Sequence, residues 1–201
     1  MMDDHLERLA KLFLKFPGIG TRQAKRFAYF ILTQDPSYVS TLSAMLTTAR
    51  SLAHTCTRCQ RIFEGTPVNG AVLCDICRDD HRDQATLLVV EKSQDIESFS
   101  KTDYHGLFFV LGGLIPIVQK NVLEGTNLKK LEARVSAESI SEIILAFPIT
   151  PNGEYTDTVV RQTLEPIYQG TVTSLGRGLS TGAELEYADS ASLSASLKKR
   201  E

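Results

Sequence analysis

Apolar residues recur at helical intervals along the first quarter of the chain. Leu6, Leu9, Leu12, Phe13 and Phe16 repeat three or four positions apart and predict an amphipathic helix. Pro17-Gly18-Ile19-Gly20 breaks it. A second helix is expected from Thr21, a suitable N-cap, with Ala24, Phe27, Ala28 and Ile31 on its buried face. Asp35-Pro36 ends it, and a third helix runs through Leu42, Met45, Leu46, Ala49 and Leu52. Turn formers follow: Gly65, Pro67, Asn69 and Gly70. After Asp83 the texture changes to short apolar runs rich in β-formers, at 86–90, 107–111, 143–147 and 171–173. Helical stretches fit between them, near 95–101, 127–137 and 157–168. Strands that alternate with helices and read as buried on both faces predict a mostly parallel α/β sheet. The domain boundary is expected near 82–85, no internal repeat is visible, and a Ser/Ala-rich stretch at 190–196 lies near the end.

Composition changes this picture little, but charge changes it more. With 201 residues, 42% of them hydrophobic and 23% charged, the chain reads as one or two ordinary globular domains. Its net charge of −2 hides an asymmetry. Between Lys11 and Arg61 stand eight basic residues (Lys11, Lys15, Arg22, Lys25, Arg26, Arg50, Arg58, Arg61) and one acid, Asp35. That span carries +7, so the remainder carries −9. A phosphate-attracting N-terminal part and an acidic remainder fit this division, as does a solvated helix face. No run approaches the roughly 18 apolar residues that span a bilayer, and the acidic start Met1-Met2-Asp3-Asp4-His5 has no signal-peptide pattern. A cytoplasmic protein is expected, in which disulfides are rare and cysteines need another explanation.

The four cysteines supply one. Cys56-x2-Cys59 is followed, fourteen residues on, by Cys74-x2-Cys77. Each two-residue gap lets one tight turn present two sulfurs to the same ion, and zinc prefers four tetrahedral ligands, thiolate among them. One structural Zn²⁺ per chain is expected on Cys56, Cys59, Cys74 and Cys77, fixing the N-terminal part of the chain. A redox pair or buried free thiols are the competing readings. His54 and His81 lie close by, but a fifth ligand is not required.

Phe16-Pro17-Gly18-Ile19-Gly20 between two helices is similar to a helix-hairpin-helix motif. Gly18 and Gly20 let the backbone approach a phosphate, Ile19 plugs between the helices, and Arg22, Lys25 and Arg26 follow within reach of neighbouring phosphates. Such contacts hold a DNA backbone and do not read bases. A plain helix–helix turn is the alternative. In the α/β half, Glu91 ends the first strand, and Glu154 follows the third on the same sheet edge, where ligands of open α/β sheets bind. A metal or nucleic-acid cleft competes there with carboxylates that cap a helix or meet a basic partner.

Glu91, the Leu111-Gly112-Gly113 turn and the strand order resemble a Toprim domain. Catalytic members of that family add an Asp-x-Asp pair after a later strand, and here Phe147-Pro148-Ile149 stands in its place. The whole order of motifs is similar to the RecR family of recombination mediators. Thr150-Pro151-Asn152-Gly153-Glu154-Tyr155-Thr156 matches that family's Thr-Val-Glu-Gly-Glu-Ala-Thr-like segment, with Asn152 at its first glutamate. A C-terminal signature runs from Leu175-Gly176-Arg177-Gly178-Leu179 to Leu185-Glu186-Tyr187-Ala188-Asp189, with Ser180 in place of a proline. This Walker-B-like end lacks a matching phosphate-binding loop, so nucleotide hydrolysis is unsupported. After Gly113 the chain also departs from the family's loop, reading Leu114-Ile115-Pro116-Ile117-Val118-Gln119-Lys120, and Phe108-Phe109 replaces a Tyr-His pair.

The resemblance implies an α+β multidomain protein: a helical helix-hairpin-helix part at 1–53, a four-cysteine zinc finger at 54–83, a Toprim α/β domain at 84–175 and a C-terminal segment at 176–201. It implies a non-enzymatic mediator that binds DNA through Gly18, Gly20, Arg22, Lys25 and Arg26. It also implies a tetrameric ring that works with RecO, and in some bacteria RecF, to help RecA displace single-strand-binding protein. On this reading Glu91 and Glu154 face a basic partner protein. The runner-up is a Mg²⁺-dependent Toprim nuclease or primase-like enzyme using Glu91, Glu154 and Asp157.

Overall fold

In a computed structural model, residues 3–67, 70, 72–118, 125–176, 178–179, 182 and 184–198 are described. They fall into two compact units, Met1–Ala53 and His54–Glu201. No helix among the described residues is long and apolar enough to cross a membrane.

The first unit holds α1 (Asp3–Phe13), α2 (Thr21–Thr33) and α3 (Pro36–Leu52). Small side chains bring α1 and α2 together: Ala10, Ala24 and Ala28 are buried. The Phe13 ring sits 5.8 Å from that of Phe27 and 5.8 Å from that of Phe16. Thr21 is not the N-cap of α2; it is already helical, and the extended residue before it, Gly20, caps the helix. Asp35 caps α3 by accepting from the Tyr38 N–H at 3.0 Å, and Pro36 opens the helix, where a missing N–H costs nothing. The expected buried face is only partly buried. Phe27 is 38% exposed, and α3 buries no residue, with Met45 and Leu46 above 60%. Three helices have too little surface to cover every apolar stripe they carry, and three alanines bury far less than the ~1.5–3 kcal/mol gained per large side chain.

Strand β1 (Ala53–Thr55), whose first residue is the last of the first unit, pairs with β2 (Ile62–Glu64) of the second, and the short α4 (Asp75–Arg78) follows. A four-stranded sheet follows, made of β3 (Asp83–Val90), β4 (Gly106–Val110), β5 (Glu142–Ala146) and β6 (Thr171–Ser174). Its spatial order is β4-β3-β5-β6 and every pairing is parallel, with Val90 level with Val110 and with Ala146. The connecting helices are α5 (Asp95–Phe99), α6 (Leu128–Ala137) and α7 (Pro151–Leu164). Alternate side chains take opposite faces. Leu87, Val89, Leu107, Phe109, Ile143 and Leu145 pack with Leu128, Leu131, Val160 and Leu164 of α6 and α7. Leu88, Val90, Phe108 and Val110 pack with Ile96 of α5 on the other side. Burial on both faces explains the continuous apolar runs of β3 and β4. The edge strand β6 departs from it, since no residue of β6 is fully buried.

Helix α7 starts six residues ahead of the stretch expected at 157–168. Pro-Asn-Gly reads as a turn, but Thr150 caps the helix by accepting from the Gly153 N–H at 3.2 Å, and Pro151 takes its first position. Gly153 is required there because a Cβ would run into the Pro148 carbonyl oxygen. Thr156, fully buried, donates to the Asn152 carbonyl at 2.6 Å and accepts from the Ile115 N–H at 2.8 Å. It therefore ties the loop after β4 to α7. A 3₁₀ turn (Leu185–Tyr187) and α8 (Ser190–Lys198) end the description, the helix taking up the Ser/Ala-rich stretch. Asn69, Gln119 and Lys120, and Arg177, Ser180, Thr181 and Ala183 of the C-terminal signature, lie outside the described residues.

Thr156→Val keeps the shape and removes both bonds, leaving the buried Ile115 N–H without its acceptor. We expect a loss of about 1–3 kcal/mol in urea unfolding, with Thr156→Ser losing much less. A valine variant as stable as wild type would show that the tie contributes nothing.

Candidate functional site

The hairpin between α1 and α2 turns on two glycines of different kinds. Gly18 has φ +76, a left-handed conformation that glycine adopts without strain. Gly20 has an ordinary extended backbone, and a Cβ on it would meet nothing within 4 Å. Nothing in the chain itself demands glycine at 20, whereas close approach of an outside group would. The first turn of α2 carries no acid and receives no side-chain cap, so its N–H groups and the positive helix end face outward. Arg22 and Arg26 are exposed on this helix. Lys25 is engaged differently: its Nζ lies 3.0 Å from Glu7 Oε1 on α1. The Lys25 hydrogen bond and charge hold the Glu7 carboxyl below its ordinary range. Exposed pairs of this kind contribute little to stability. Lys25 thus joins α1 to α2 as well as standing beside the hairpin. Ile19 is half-buried, its N–H donating to the Phe16 carbonyl at 3.2 Å.

The four cysteines converge. Cys56, Cys59, Cys74 and Cys77 are buried, with their sulfurs within 4.8 Å of one another, and they could hold one metal ion. Cys59 Sγ and Cys74 Sγ are 3.6 Å apart, and the Cys74 N–H donates to Cys56 Sγ at 3.4 Å. Hydrogen bonds from the Cys59, Cys74 and Cys77 thiols hold Cys56 low, while hydrogen bonding within the cluster and burial push Cys77 up. His54 and His81 are not part of the cluster. The expectation that this site fixes the N-terminal part needs correction. The cysteines belong to the second unit, and their turn is fastened to its sheet: the Val110 N–H donates to the Cys59 carbonyl at 2.8 Å.

A charged junction completes that fastening. Arg58, inside the first Cys-x2-Cys turn, donates from Nε and Nη2 to the two oxygens of Glu138 at 2.9 and 3.0 Å. Arg134 on α6, its side chain 5% exposed, donates from Nε to Glu138 at 3.1 Å and from Nη1 to the Phe108 carbonyl at 2.8 Å. Arg-x3-Glu on one helix face was legible in the sequence, but its partner 80 residues away was not. Burial alone would raise the Glu138 carboxyl, but the Arg58 hydrogen bonds and the Arg134 charge outweigh it and hold the group low.

At the sheet's carboxyl edge the two glutamates occupy different settings. Glu91 directly follows β3, is 14% exposed, and pairs with Lys92 at 2.7 Å. Glu154 is exposed in the first turn of α7 and lines a cleft of about 170 Å³ with Phe147, Pro148, Asp157 and Ser174, a cleft that Glu91 does not line. Asp157 is held by Arg161 Nε and by Ser174 Oγ, each at 2.6 Å. Among the described residues the cysteines are the one group of three or more His, Cys, Asp or Glu side chains close enough to hold a metal.

Glu138→Gln tests the junction through pH. A carboxyl held low in the fold stabilises above its unfolded value, and that stability is lost as pH falls through the folded value. The variant should lose up to about 3 kcal/mol at neutral pH, because Arg134 keeps its charge without a counter-ion. Its stability curve should meet the wild-type curve in acid. A deficit that persists unchanged at pH 2–3 would contradict the assignment.

Comparison with known proteins divides the chain in the same order. Residues 6–50 match the family model for the RecR helix-hairpin-helix, 85–175 the Toprim domain, and 178–201 the RecR C-terminal region. The chain is 34% identical over 197 residues to Recombination protein RecR of Lacticaseibacillus casei (strain BL23), covering 97% of this chain and 96% of the relative. It is 38% identical to that of Pediococcus pentosaceus over 193 residues, 93% of each, and 37% identical to that of Chlorobium phaeobacteroides over 199 residues, 97% of this chain and 95% of the relative.

Proposed function

The chain belongs to the RecR family, and from that premise we propose that it is a non-enzymatic, DNA-binding recombination mediator. The observation that carries the DNA contact is the uncapped, acid-free start of α2 behind Gly18 and Gly20, with Arg22 and Arg26 exposed beside it. Backbone N–H groups take one phosphate, the two arginines take its neighbours, and Lys25 adds charge while bracing α1. In this reading the chain acts with RecO, and with RecF where present, to place RecA on gapped or single-stranded DNA. Glu91 and Glu154 offer the acidic contacts for a basic partner. The place of action is the cytoplasm, on the nucleoid.

Zinc fits the cysteine cluster. A tetrahedron with Zn–S bonds of about 2.3 Å sets its sulfurs about 3.8 Å apart, close to the 3.6 Å between Cys59 and Cys74. Four thiolates leave no open position, so the ion would hold the turn in place and do no chemistry. Self-association into a ring is supported by the apolar stripe of α3, none of whose residues is fully buried in a single chain. The enzyme alternative finds less support: Asp157 is already committed to Arg161 and Ser174, and Phe147-Pro148-Ile149 offers a metal no carboxylate.

Two outcomes are expected. Freshly purified protein should carry one zinc per chain by elemental analysis, and Cys59→Ser should lose it and lower the melting temperature of the second unit, since the binding energy of a structural zinc is folding energy. Metal-free wild-type protein of full stability would remove zinc from the account. Arg22→Ala/Arg26→Ala should bind DNA more weakly on every sequence. It should also flatten log K against log salt by about 1.5 per engaged hairpin, at roughly 0.7–0.9 per phosphate contact. An unchanged slope with normal zinc content would make the hairpin a structural turn only.

A further inference from the structure

Two cations of the N-terminal basic span, Arg58 and Arg61, belong to the second unit and have no part in the hairpin. They lie on a seam between the first cysteine turn and the ends of β3 and β4, which holds two clefts. The larger, of about 640 Å³, is lined by Arg61, Lys92 and Lys130 with one acid, Glu97, in its lining; Arg61 also meets Asp75 and Lys92 meets Glu91, which leaves Lys130 as the cation of this cleft without an ion pair. The smaller, of about 360 Å³, is lined by Arg58, Lys130 and Arg134 against Glu138. Lys130 is common to both.

The chemistry of the seam leaves donors over. Lys130 Nζ lies 2.6 Å from Gln60 Oε1, a neutral partner, and no carboxylate among the described residues forms an ion pair with it. An ammonium carries three donors, so two remain. Gln60 is itself unusual: it is buried, and among the described residues it is the one non-glycine with positive φ, at 63°. Such strain persists where the surroundings over-determine it, and it gathers at ligand sites. The Gln60 amide nitrogen donates to the Cys56 and Thr57 carbonyls, which leaves its oxygen to fix the lysine. In the wall of the smaller cleft, Nη2 of Arg134 is buried and has no partner, while Arg134 and Arg58 share the one carboxylate of Glu138. Arg58, Lys130 and Arg134 beside the single carboxylate of Glu138 leave positive charge that suits an acceptor-rich anion.

We propose that this seam is a phosphate-binding site of the second unit, with Lys130 as its central cation and Arg61 and Lys92 at its rim. The phosphate is a diester of a DNA strand or, by the same chemistry, a free phosphate group. In its strand form the site deepens the DNA-binding reading and rests on it, adding a contact that the hairpin cannot make.

The test uses the full chain. Binding of oligothymidylate is followed by fluorescence anisotropy at several salt concentrations for wild type, Lys130→Gln, Lys130→Arg, Lys92→Gln and Arg22→Ala/Arg26→Ala. Lys130→Gln should flatten the salt slope by about 0.7 per engaged chain, Lys130→Arg should restore most of it, and Lys92→Gln should shift it the same way. In parallel, inorganic phosphate at constant ionic strength should raise the melting temperature of wild type and not of Lys130→Gln. A phosphate response with unchanged oligothymidylate binding assigns the site to a free phosphate. Wild-type slopes in both lysine variants with no phosphate response overturn the site, and loss of binding in the arginine variant then leaves the hairpin reading intact. If Lys130→Gln lowers zinc content or melting temperature, exposed Lys92 decides, and a wild-type slope in Lys92→Gln overturns the proposal.

Discussion

Four thiols buried within 4.8 Å of one another impose the constraint on which the second unit depends. Four thiolates so close together would repel one another without a counter-ion, so the cluster suits a cation, and the turn that carries it is anchored to something rigid. The anchor is the sheet. The Cys59 carbonyl takes the N–H of Val110, the last residue of β4, and Arg58, two residues from Cys56, takes Glu138 just past α6. Arg134 completes the junction by reaching back to the Phe108 carbonyl of β4. The cysteine turn, the sheet and α6 are therefore one mechanical body.

Much of this was legible along the chain, and the reasons differ by element. Strands β3 and β4 announced themselves as short apolar runs because they are covered on both sides, whereas the edge strand β6, with no buried residue, was marked by its β-formers Thr171, Val172 and Thr173. The cysteine pairs were legible because metal geometry acts over two residues. The start of α7 was obscured because Pro-Asn-Gly carries a turn signal, although Thr150 and Pro151 form a good helix entry. The Arg58–Glu138 pair left no local trace, since its members meet only after the chain has folded across 80 residues. The apolar periodicity of α3 was real, but periodicity reports that a face is apolar and is silent about what covers it.

Charge shows the same gap between chain order and assembly. The first unit, Met1–Ala53, holds seven basic and four acidic residues, net +3, which leaves −5 on the second. The sharper contrast of +7 and −9 belonged to a window that ran past the unit boundary, through Arg50 to Arg58 and Arg61. Arg58 spends its charge inside the second unit on Glu138, and Arg61 meets Asp75 at 3.0 Å. Within the first unit Lys25 is paired with Glu7. The positive potential at the hairpin therefore rests on Lys15, Arg22, Arg26 and the start of α2, a localised source. On the proposed reading a local source of this size suits a few phosphate contacts per hairpin.

The carboxyl edge of the sheet completes the division of labour. In an open parallel sheet this edge is where chemistry is usually placed. Here the segment after β5 is apolar, and Ile149 stands 66% exposed beside the cleft that Glu154 lines. Ile117 and Val118, in the loop after β4, are also exposed. Holding a divalent cation needs several oxygens converging on one point, and among the described residues no three carboxylates of this edge converge so; Glu91 pairs with Lys92 and Asp157 with Arg161. An apolar surface rimmed by separated charges suits contact with another protein, in which the apolar part gains by leaving water and the charges set orientation. On the proposed reading this edge is a docking surface.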